Sequence, residues 1–356
     1  MTYRLCVAVV LVSAACGPWA AADLAITNVV ASQRTDATGL VDVYYDLSGA
    51  GGPVVVDITF SNDDGVHWNV LPTPSLLSGD TGPGITNGAN KHIVWDASRD
   101  RAGVNWPNAR AHVSASELEG TITVMLPGGV PLEMVDIPAG GFQMGSIYDP
   151  PYSQINEAPP HTVTIDYGFQ IGKFEVTQGQ WYAVMNGFPQ SQPSANVSLP
   201  VVYISWNDCQ TFLTALNSLG LGTFRLPSEA EWEFACRAGT DTRWSFGNDE
   251  ASLGDYAWYT MNGGSAAHVV GQKLPNPFGL YDMHGNVYEW VQDWYHSGYA
   301  GAPVDGSAWE DPVDTYRVLR GGYFSYSAVN CRSASRSYSY PGNRIDDGGL
   351  RLLRTP

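Results

Sequence analysis

Basic side chains are scarce in this chain of 356 residues. Lysine and arginine together number 18 against 35 aspartate and glutamate residues, which gives a formal net charge of −17 at pH 7. Nucleic acid would be repelled over most of such a surface, because both partners are negatively charged. The composition therefore predicts no nucleic-acid partner. An acidic surface is compatible with bound divalent cations, although solubility alone would also explain it.

Long apolar runs are missing after the first 22 residues, so the sequence predicts no transmembrane span. The early run from Leu5 to Cys16 follows Arg4 and is itself too short to cross a bilayer. The small residues Ala20 to Ala22 form a cleavage site. Residues 1–22 are therefore predicted to be a cleavable signal peptide, which indicates a secreted or periplasmic protein. Lipid attachment at Cys16 is the less favoured alternative.

Cysteine is rare, and the familiar catalytic motifs are absent. Removal of the signal peptide leaves Cys209, Cys236 and Cys331, of which two can pair in an oxidising compartment. The 7 histidines show no metal-binding spacing, so a zinc or non-haem iron site has little support. The sequence also lacks a G-x-S-x-G motif, a phosphate-binding loop and a dinucleotide fingerprint. No residue is assigned a catalytic role by motif.

Aromatic and turn-forming residues are abundant by contrast. Aromatics reach 12% while charged residues are only 15%, and there are 39 glycines and 23 prolines. This composition is typical of a loop-rich globular protein and argues against a coiled coil or a disordered chain. The length is sufficient for two domains that each bury a core.

The chain after the signal peptide begins with short strand-forming runs. They are bounded by Gly, Ser and Asp clusters, and no helical period separates them. The runs are Leu40 to Leu47, Val54 to Phe60, Lys91 to Ala97 and Ala109 to Ser116. The pattern predicts that residues 23–119 form an antiparallel β-sandwich of the immunoglobulin or fibronectin type III kind. A Gly/Pro break then predicts a linker over residues 120–131 and a second domain over residues 132–356.

Three helix starts can be identified in the second domain. Ser205 with Asp208, and Ser228 with Glu231, have the spacing of a capping box. Thr177 is predicted to cap a further short helix. A few short helices among many short strands indicate an α+β domain.

The second domain is organised around the stretch GLYDMHGNVYEW, Gly279 to Trp290. Asp282 and Glu289 flank a turn at His284-Gly285-Asn286, where glycine permits a backbone conformation that side chains would block. Two carboxylates and the turn carbonyls could converge on a hard cation such as calcium. An ordinary packed turn is the alternative. His284 is predicted to be a structural turn residue because it has no partner for acid–base work in the sequence.

Five stretches of this domain together resemble the formylglycine-generating enzyme family, also called the sulfatase-modifying factors. They are PVVYISWNDCQTF at Pro200 to Phe212, FRLPSEAEWEFACRAGT at Phe224 to Thr240, the stretch just described, RVLRGG at Arg317 to Gly322 and CRSASR at Cys331 to Arg336. The similarity runs from about Leu132 to the C-terminus. It implies a C-type-lectin-like fold, in which calcium and a disulfide substitute for regular secondary structure.

The resemblance also implies a disulfide and a structural calcium ion. In the family the segment of Cys331 packs close to that of Cys236, so a Cys236–Cys331 bond is expected, with Cys209 a buried free thiol. The family's calcium ligands fall on Asp282, Gly285, Val287 and Glu289. Four arginines in the family's recurring elements are expected to be structural hydrogen-bond donors: Arg320, Arg332, Arg336 and Arg351.

The family's oxidase chemistry, by contrast, is not expected here. The family binds copper(I) with a pair of cysteines after the RGG segment and oxidises a sulfatase cysteine to formylglycine with dioxygen. Residues 321–337 contain only Cys331, and residues 325–328 occupy the region of the thiolates. Tyr323 replaces a serine implicated in the oxygen chemistry, and Tyr288 replaces a tryptophan of the pocket. Copper is therefore not expected, because hydroxyl groups do not hold copper(I) as thiolates do.

These observations predict a secreted family member that has lost the oxidase chemistry and keeps the groove as a binding module for a peptide or a carbohydrate. The partner would be met outside the cytoplasm. The cleft residues are expected to be Tyr288, Tyr323, Tyr326 and Asp347. The alternatives are a formylglycine-generating oxidase with an atypical site and a related oxidoreductase.

Overall fold

The structure is a computed structural model that describes residues 24–34, 38–50, 54–61, 72, 77–100, 110–117, 120–146, 154–192, 194 and 196–355. The predicted signal peptide, residues 1–22, lies outside them. The contacts divide the chain into two compact units, Met1–Leu118 and Glu119–Pro356.

The first unit is built from two antiparallel sheets. Its elements are β1 (Ala25–Gln33), β2 (Leu40–Ser48), β3 (Val54–Ser61), β4 (Leu77–Gly79), β5 (Gly82–Ile85), β6 (Gly88–Asp96), the single helical turn α1 (Ala97–Asp100) and β7 (Arg110–Glu117). One sheet has the order β1-β2-β6-β4 and the other the order β5-β3-β7. Burial alternates along β2, so one face of the first sheet points into the core. The all-strand prediction for this unit is confirmed.

Side chains from both sheets form one hydrophobic core in this unit. Val43 is fully buried, and the rings of Phe60 and Trp95 stack with their centroids 4.3 Å apart. This stacked pair joins β3 in one sheet to β6 in the other, which holds the two sheets together. The assignment to the immunoglobulin or fibronectin type III kind stays a prediction.

The second unit combines many short strands with four short helices. The strands are β8 (Ile122–Leu126), β9 (Val130–Ile137), β10 (Gly140–Met144), β11 (His161–Ile165), β12 (Phe169–Gly172), β13 (Thr223–Arg225), β14 (Tyr288–Trp294), β15 (Arg317–Arg320), β16 (Ser337–Ser339), β17 (Gly348–Leu350) and β18 (Leu353–Thr355). The helices are α2 (Gln178–Met185), α3 (Trp206–Ser218), α4 (Glu229–Arg237) and α5 (Leu253–Tyr256). Short 3-10 segments lie at Pro127–Gly129, Ile155–Glu157, Glu250–Ser252 and Ala328–Cys331.

Three sheets organise these strands, in the orders β13-β18-β12-β9-β8, β16-β15-β14-β17 and β10-β11. In the second of them β14 pairs antiparallel with β15 and parallel with β17. The stretch that begins at Gly279 therefore runs into the middle of a sheet and lies beside the C-terminal segment. Within the described residues, no helix has the length and apolar character needed to cross a membrane.

The predicted linker over residues 120–131 is wrong. Ile122–Leu126 is a strand that pairs antiparallel with β9 along its whole length, and Val124 and Leu126 are buried in the core of the second unit. The Gly/Pro break is the turn of this hairpin, with Gly128 and Gly129 both at positive φ. Turn residues mark a change of direction, which here occurs inside a domain.

The three predicted helix starts are confirmed. Thr177, Ser205 and Ser228 each accept a hydrogen bond from the backbone N–H three residues later, and each closes a capping box before α2, α3 and α4. The capping satisfies N–H groups that the first turn of a helix leaves without partners.

Candidate functional site

The cysteines do not form the expected disulfide. Cys236 and Cys331 are both free and fully buried, so the predicted bond between them is wrong. The Cys236 Sγ lies 3.7 Å from the carbonyl oxygen of Met283 and 3.8 Å from Nδ1 of His284. That same Nδ1 donates to the carbonyl oxygen of Cys331 at 3.0 Å. The thiol of Cys236 thus faces an imidazole, while Cys209 is a buried free thiol as expected.

His284 is a buried structural residue, as predicted. Its Nε2 accepts the backbone N–H of Ser245 at 3.1 Å and the hydroxyl of Ser245 at 2.9 Å. Burial lowers the pKa of His284 to about 4. The neutral ring therefore fixes the turn by one donated bond and two accepted bonds.

Asp282 has the features of a cation ligand. Its side chain is buried, Oδ2 accepts the backbone N–H of Gly271 at 2.7 Å, and Oδ1 is buried without a hydrogen-bond partner. Burial raises the pKa of Asp282 to about 6. An orphaned carboxylate oxygen is costly unless a proton or a cation satisfies it.

Glu289 is already paired. Arg351 donates to its Oε1 at 2.7 Å through Nη2 and to its Oε2 at 3.0 Å through Nε, and the indole of Trp232 donates to Oε2 at 2.6 Å. Both carboxylate oxygens are engaged, so Glu289 is a weaker candidate ligand than Asp282. Gly285 packs so closely that an added Cβ would lie 2.2 Å from the carbonyl oxygen of Trp258. Glycine is therefore required at this turn.

Glu175 is a residue of this site that the sequence did not reveal. It is fully buried, its Oε2 accepts the side-chain amide of Asn286 at 2.8 Å, and its Oε1 accepts the N–H of Val287 at 3.2 Å. Burial, with the nearby charges of Asp282 and Glu289, raises its pKa well above the usual range. No spacing signal could have found it, since it lies more than a hundred residues before the turn.

The donor set fits a hard cation in part. Three buried carboxylates, Glu175, Asp282 and Glu289, share a single buried guanidinium, that of Arg351. Within the described chain, no group of three or more His, Cys, Asp or Glu side chains is placed to hold a metal ion by itself. Turn carbonyls would have to complete any calcium shell. Calcium at Asp282, Gly285, Val287 and Glu289 stays a prediction.

Tyr288, Tyr323 and Tyr326 come together as one aromatic cluster. The ring centroids of Tyr323 and Tyr326 are 4.9 Å apart in a stacked arrangement, and those of Tyr288 and Tyr323 are 5.3 Å apart. Tyr288 lies on β14 and is almost fully buried, whereas the other two follow β15 and are half-buried. The cluster therefore has a buried floor and a face that solvent can reach.

Asp347 lies beside this cluster, next to the exposed Asp346. Its backbone carbonyl accepts the N–H of Tyr288 at 2.7 Å, and its charge acts on Tyr323 and Tyr288. Burial and then Asp346 raise the pKa of Asp347 to about 6. We call the surface formed by Tyr288, Tyr323, Tyr326, Asp346 and Asp347 the tyrosine cleft.

The comparisons with known proteins bear on this geometry. A family model described as "Sulfatase-modifying factor enzyme 1-like domain" matches residues 127–356. The chain belongs to this family. It is 27% identical to the formylglycine-generating enzyme of Bos taurus, over 70% of this chain and 82% of that protein.

Two solved structures are also similar to this family member. PvdO from Pseudomonas aeruginosa is 33% identical with a TM-score of 0.59, over 64% of this chain and 95% of that one. Treponema denticola variable protein 1 is 33% identical with a TM-score of 0.56, over 68% of this chain and all of its own.

In this sulfatase-modifying factor the segment after the RGG motif offers a single thiol. Burial raises the pKa of Cys331 to about 12, and an added Cβ on Gly322 would lie 2.7 Å from its Sγ. A protonated, tightly enclosed thiol is a poor metal ligand and a poor nucleophile. Ser325 and Ser327, in the region where the family's thiolates are expected, are exposed.

The family's recurring arginines are structural, as predicted. Each forms a buried ion pair with a glutamate, three of these glutamates being on α4 or β14. The pairs are Arg320 with Glu233, Arg332 with Glu157, Arg336 with Glu229 and Arg351 with Glu289. Buried charges of opposite sign are thus matched one to one across the centre of the unit.

A second concave surface was not predicted. A cavity of about 1340 Å³ lies between the β8–β9 turn and α2, and its lining is largely apolar, including Val130, Phe174, Tyr182, Phe188 and Val270. Tyr182 and Phe188 are partly exposed at its rim. It is formed by other residues than the tyrosine cleft.

Proposed function

We propose that the protein is a sulfatase-modifying factor that has lost cysteine-dependent oxidase chemistry and binds a peptide or a carbohydrate at the tyrosine cleft. One observation carries the proposal. Tyr288, Tyr323 and Tyr326 pack together in the region where the family's oxidase needs two thiolates, and the one cysteine nearby, Cys331, is enclosed. Partly exposed aromatic rings with hydroxyl tips are suited to stacking on a sugar or a peptide.

The proposed setting is outside the cytoplasm. The signal-peptide pattern of residues 1–22 supports a secreted or periplasmic location. We propose in addition that the first unit is a sandwich of the immunoglobulin or fibronectin type III kind, supported by its two antiparallel sheets around one core. For the second unit we propose the C-type-lectin-like fold.

Calcium is proposed as a structural ion of the second unit. The orphaned Oδ1 of Asp282 and the excess of buried carboxylates around Arg351 support it. Bound calcium would supply positive charge to this cluster and fix the turn. Asp282 and the turn carbonyls of Gly285 and Val287 would hold it, with Glu175 and Glu289 close by.

The rival function is formylglycine generation at an atypical site. The test is to incubate the protein with a C-x-P-x-R peptide, copper(I) and dioxygen and to search for the aldehyde by mass spectrometry. We expect none, because the two thiolates that hold copper(I) are not available. The bovine enzyme under the same conditions is the positive control. Aldehyde from this protein would overturn the proposal.

Binding is tested with peptide and glycan arrays. We expect the wild-type protein to retain a ligand and the Tyr323→Ala/Tyr326→Ala variant to lose it, because the accessible face of the cluster is removed. The Tyr182→Ala variant, at the rim of the apolar cavity, is the matched control and should bind normally. Loss of binding by Tyr182→Ala alone would transfer the site to the cavity.

A further inference from the structure

The tyrosine cleft differs from the rest of the second unit in how it treats negative charge. Buried carboxylates elsewhere are matched by arginines, as in Glu157 with Arg332 and Glu229 with Arg336. Asp346 and Asp347 have no such match, since within the described chain no basic side chain lies within ion-pair distance of either. Two adjacent carboxylates repel each other, and partial burial adds to the cost of the charge on Asp347.

The nearest basic residue in the sequence is committed elsewhere. Arg344 donates to Asp208 at 2.7 Å through Nε and at 3.0 Å through Nη2, so it does not neutralise the aspartates. Asp208 is held in turn by the N-cap residue Ser205. The chain has thus paired this arginine with a helix-start carboxylate and left the pair in the cleft without a cation.

The aromatic part of the cleft suits the same kind of ligand. Tyr323 and Tyr326 are stacked on one another and half-exposed, and the charge of Asp347 acts on the side chain of Tyr323. A cation over a tyrosine face is attracted by the ring quadrupole, and carboxylates at the ring edge strengthen its binding. A neutral sugar would gain the stacking but would leave the two carboxylates uncompensated.

We propose that the tyrosine cleft binds a basic side chain of a peptide, arginine or lysine, with Asp346 and Asp347 neutralising the charge and Tyr323 and Tyr326 contacting the alkyl stem and the cationic group. This inference rests on the proposed binding function and selects a cationic peptide over a carbohydrate. The acidic surface as a whole, with a net charge of −17, would favour the approach of such a partner. A planar guanidinium fits this arrangement better than an ammonium, because it can stack and bridge two carboxylates at once.

The probe is the peptide acetyl-Gly-Arg-Gly-amide, with its citrulline twin as the neutral control of the same shape. Titration followed by NMR should show at least about tenfold tighter binding of the arginine peptide, since only it can form charge-assisted bonds. Agmatine, which carries a guanidinium without a peptide backbone, separates a free amine ligand from a peptide ligand. Equal or stronger binding of agmatine would replace the peptide by a small cation and overturn the assignment of the source.

The matched variants are Asp346→Asn/Asp347→Asn and Asp241→Asn/Asp255→Asn, which remove the same charge inside and outside the cleft. The first should lose the preference for arginine over citrulline and the second should keep it, with melting temperatures showing that both are folded. Equal affinity for the two peptides, no binding of the arginine peptide by the wild type, or an unchanged preference in the first variant would overturn the inference. If the Tyr323→Ala/Tyr326→Ala variant still loses array binding in that case, the proposed binding function survives while its cationic ligand does not.

Discussion

At the scale of single residues, the side chains that decide the site are those whose environment the sequence does not encode locally. Asp282 and Glu289 could be picked out because they flank a turn. Glu175 could not, since its contact with Asn286 joins residues that are far apart in the chain. The Cys236–Cys331 prediction was wrong because nearness of two segments does not fix where two sulfurs point. His284 contacts both residues instead.

Asp347 should make the stability of the protein depend on pH. Its pKa is raised from 3.8 to about 6 by burial and by Asp346, and the phenols of Tyr288, Tyr323 and Tyr326 face it from the neighbouring elements. The folded state therefore keeps the proton longer than the unfolded chain, so stability falls as pH rises from about 4 to about 6 and stays reduced above that.

Replacement of Asp347 by asparagine removes this penalty. We expect Asp347→Asn to raise the free energy of unfolding by about 1 kcal/mol at pH 7, after allowance for partial solvent screening, and to change nothing below pH 4. Urea denaturation between pH 4 and pH 7 measures it, with Asp241→Asn as the control at an exposed position. A benefit that is the same at all pH values would contradict the titration of Asp347.

At the scale of elements, local signals predicted helices better than they predicted boundaries. The capping boxes at Ser205 and Ser228 are complete within four residues, so the sequence alone could place the starts of α3 and α4. The hairpin of β8 and β9 was mistaken for a linker because its Gly/Pro turn was given more weight than the alternating burial pattern beside it. The arginine partners of α4 come from the C-terminal third of the chain and left no local trace.

The start of α4 offers a direct test at this scale. The Ser228 hydroxyl accepts the N–H of Glu231 at 3.0 Å and donates to the carbonyl oxygen of Gly306 at 2.7 Å. We expect Ser228→Ala to lower the free energy of unfolding by about 2 kcal/mol, because a buried cap and a buried acceptor both lose their partner.

The matched control is Ser252→Ala. Ser252 precedes α5 without making a side-chain cap, so its loss should cost less than about 0.5 kcal/mol in the same denaturation experiment. Equal losses for the two variants would mean that the cap at Ser228 contributes nothing specific.

At the scale of the whole molecule, the sequence predicted two units and their order, and the family match over residues 127–356 agrees with the second of them. Strand-rich composition and a specific set of motifs were enough for this. The ligand was not predicted, because the cleft draws on β14, the loop after β15 and the segment before β17. Only the folded chain brings Tyr288, Tyr326 and Asp347 to one place.

Calcium should stabilise the second unit if it binds there. In scanning calorimetry of the full chain we expect calcium at about a hundred times its dissociation constant to raise a melting transition by roughly 5 °C over excess chelator. Asp282→Ala should abolish the shift, because the carboxylate with the orphaned oxygen is removed, whereas Asp255→Ala should leave it intact. A wild-type transition that does not move with calcium would show that the turn is held by Arg351 and packing alone.

The parallel pairing of β17 with β14 has a consequence for the order of assembly during synthesis. The floor of the tyrosine cleft is supplied at Tyr288, but both of its carboxylates arrive with the chain just before Gly348–Leu350. A ribosome delivers residues from the N-terminus onward, so the aromatic floor emerges well before the acidic wall. The site therefore becomes complete only at the final docking step, and a nascent or C-terminally clipped chain would have the fold's core without a competent cleft.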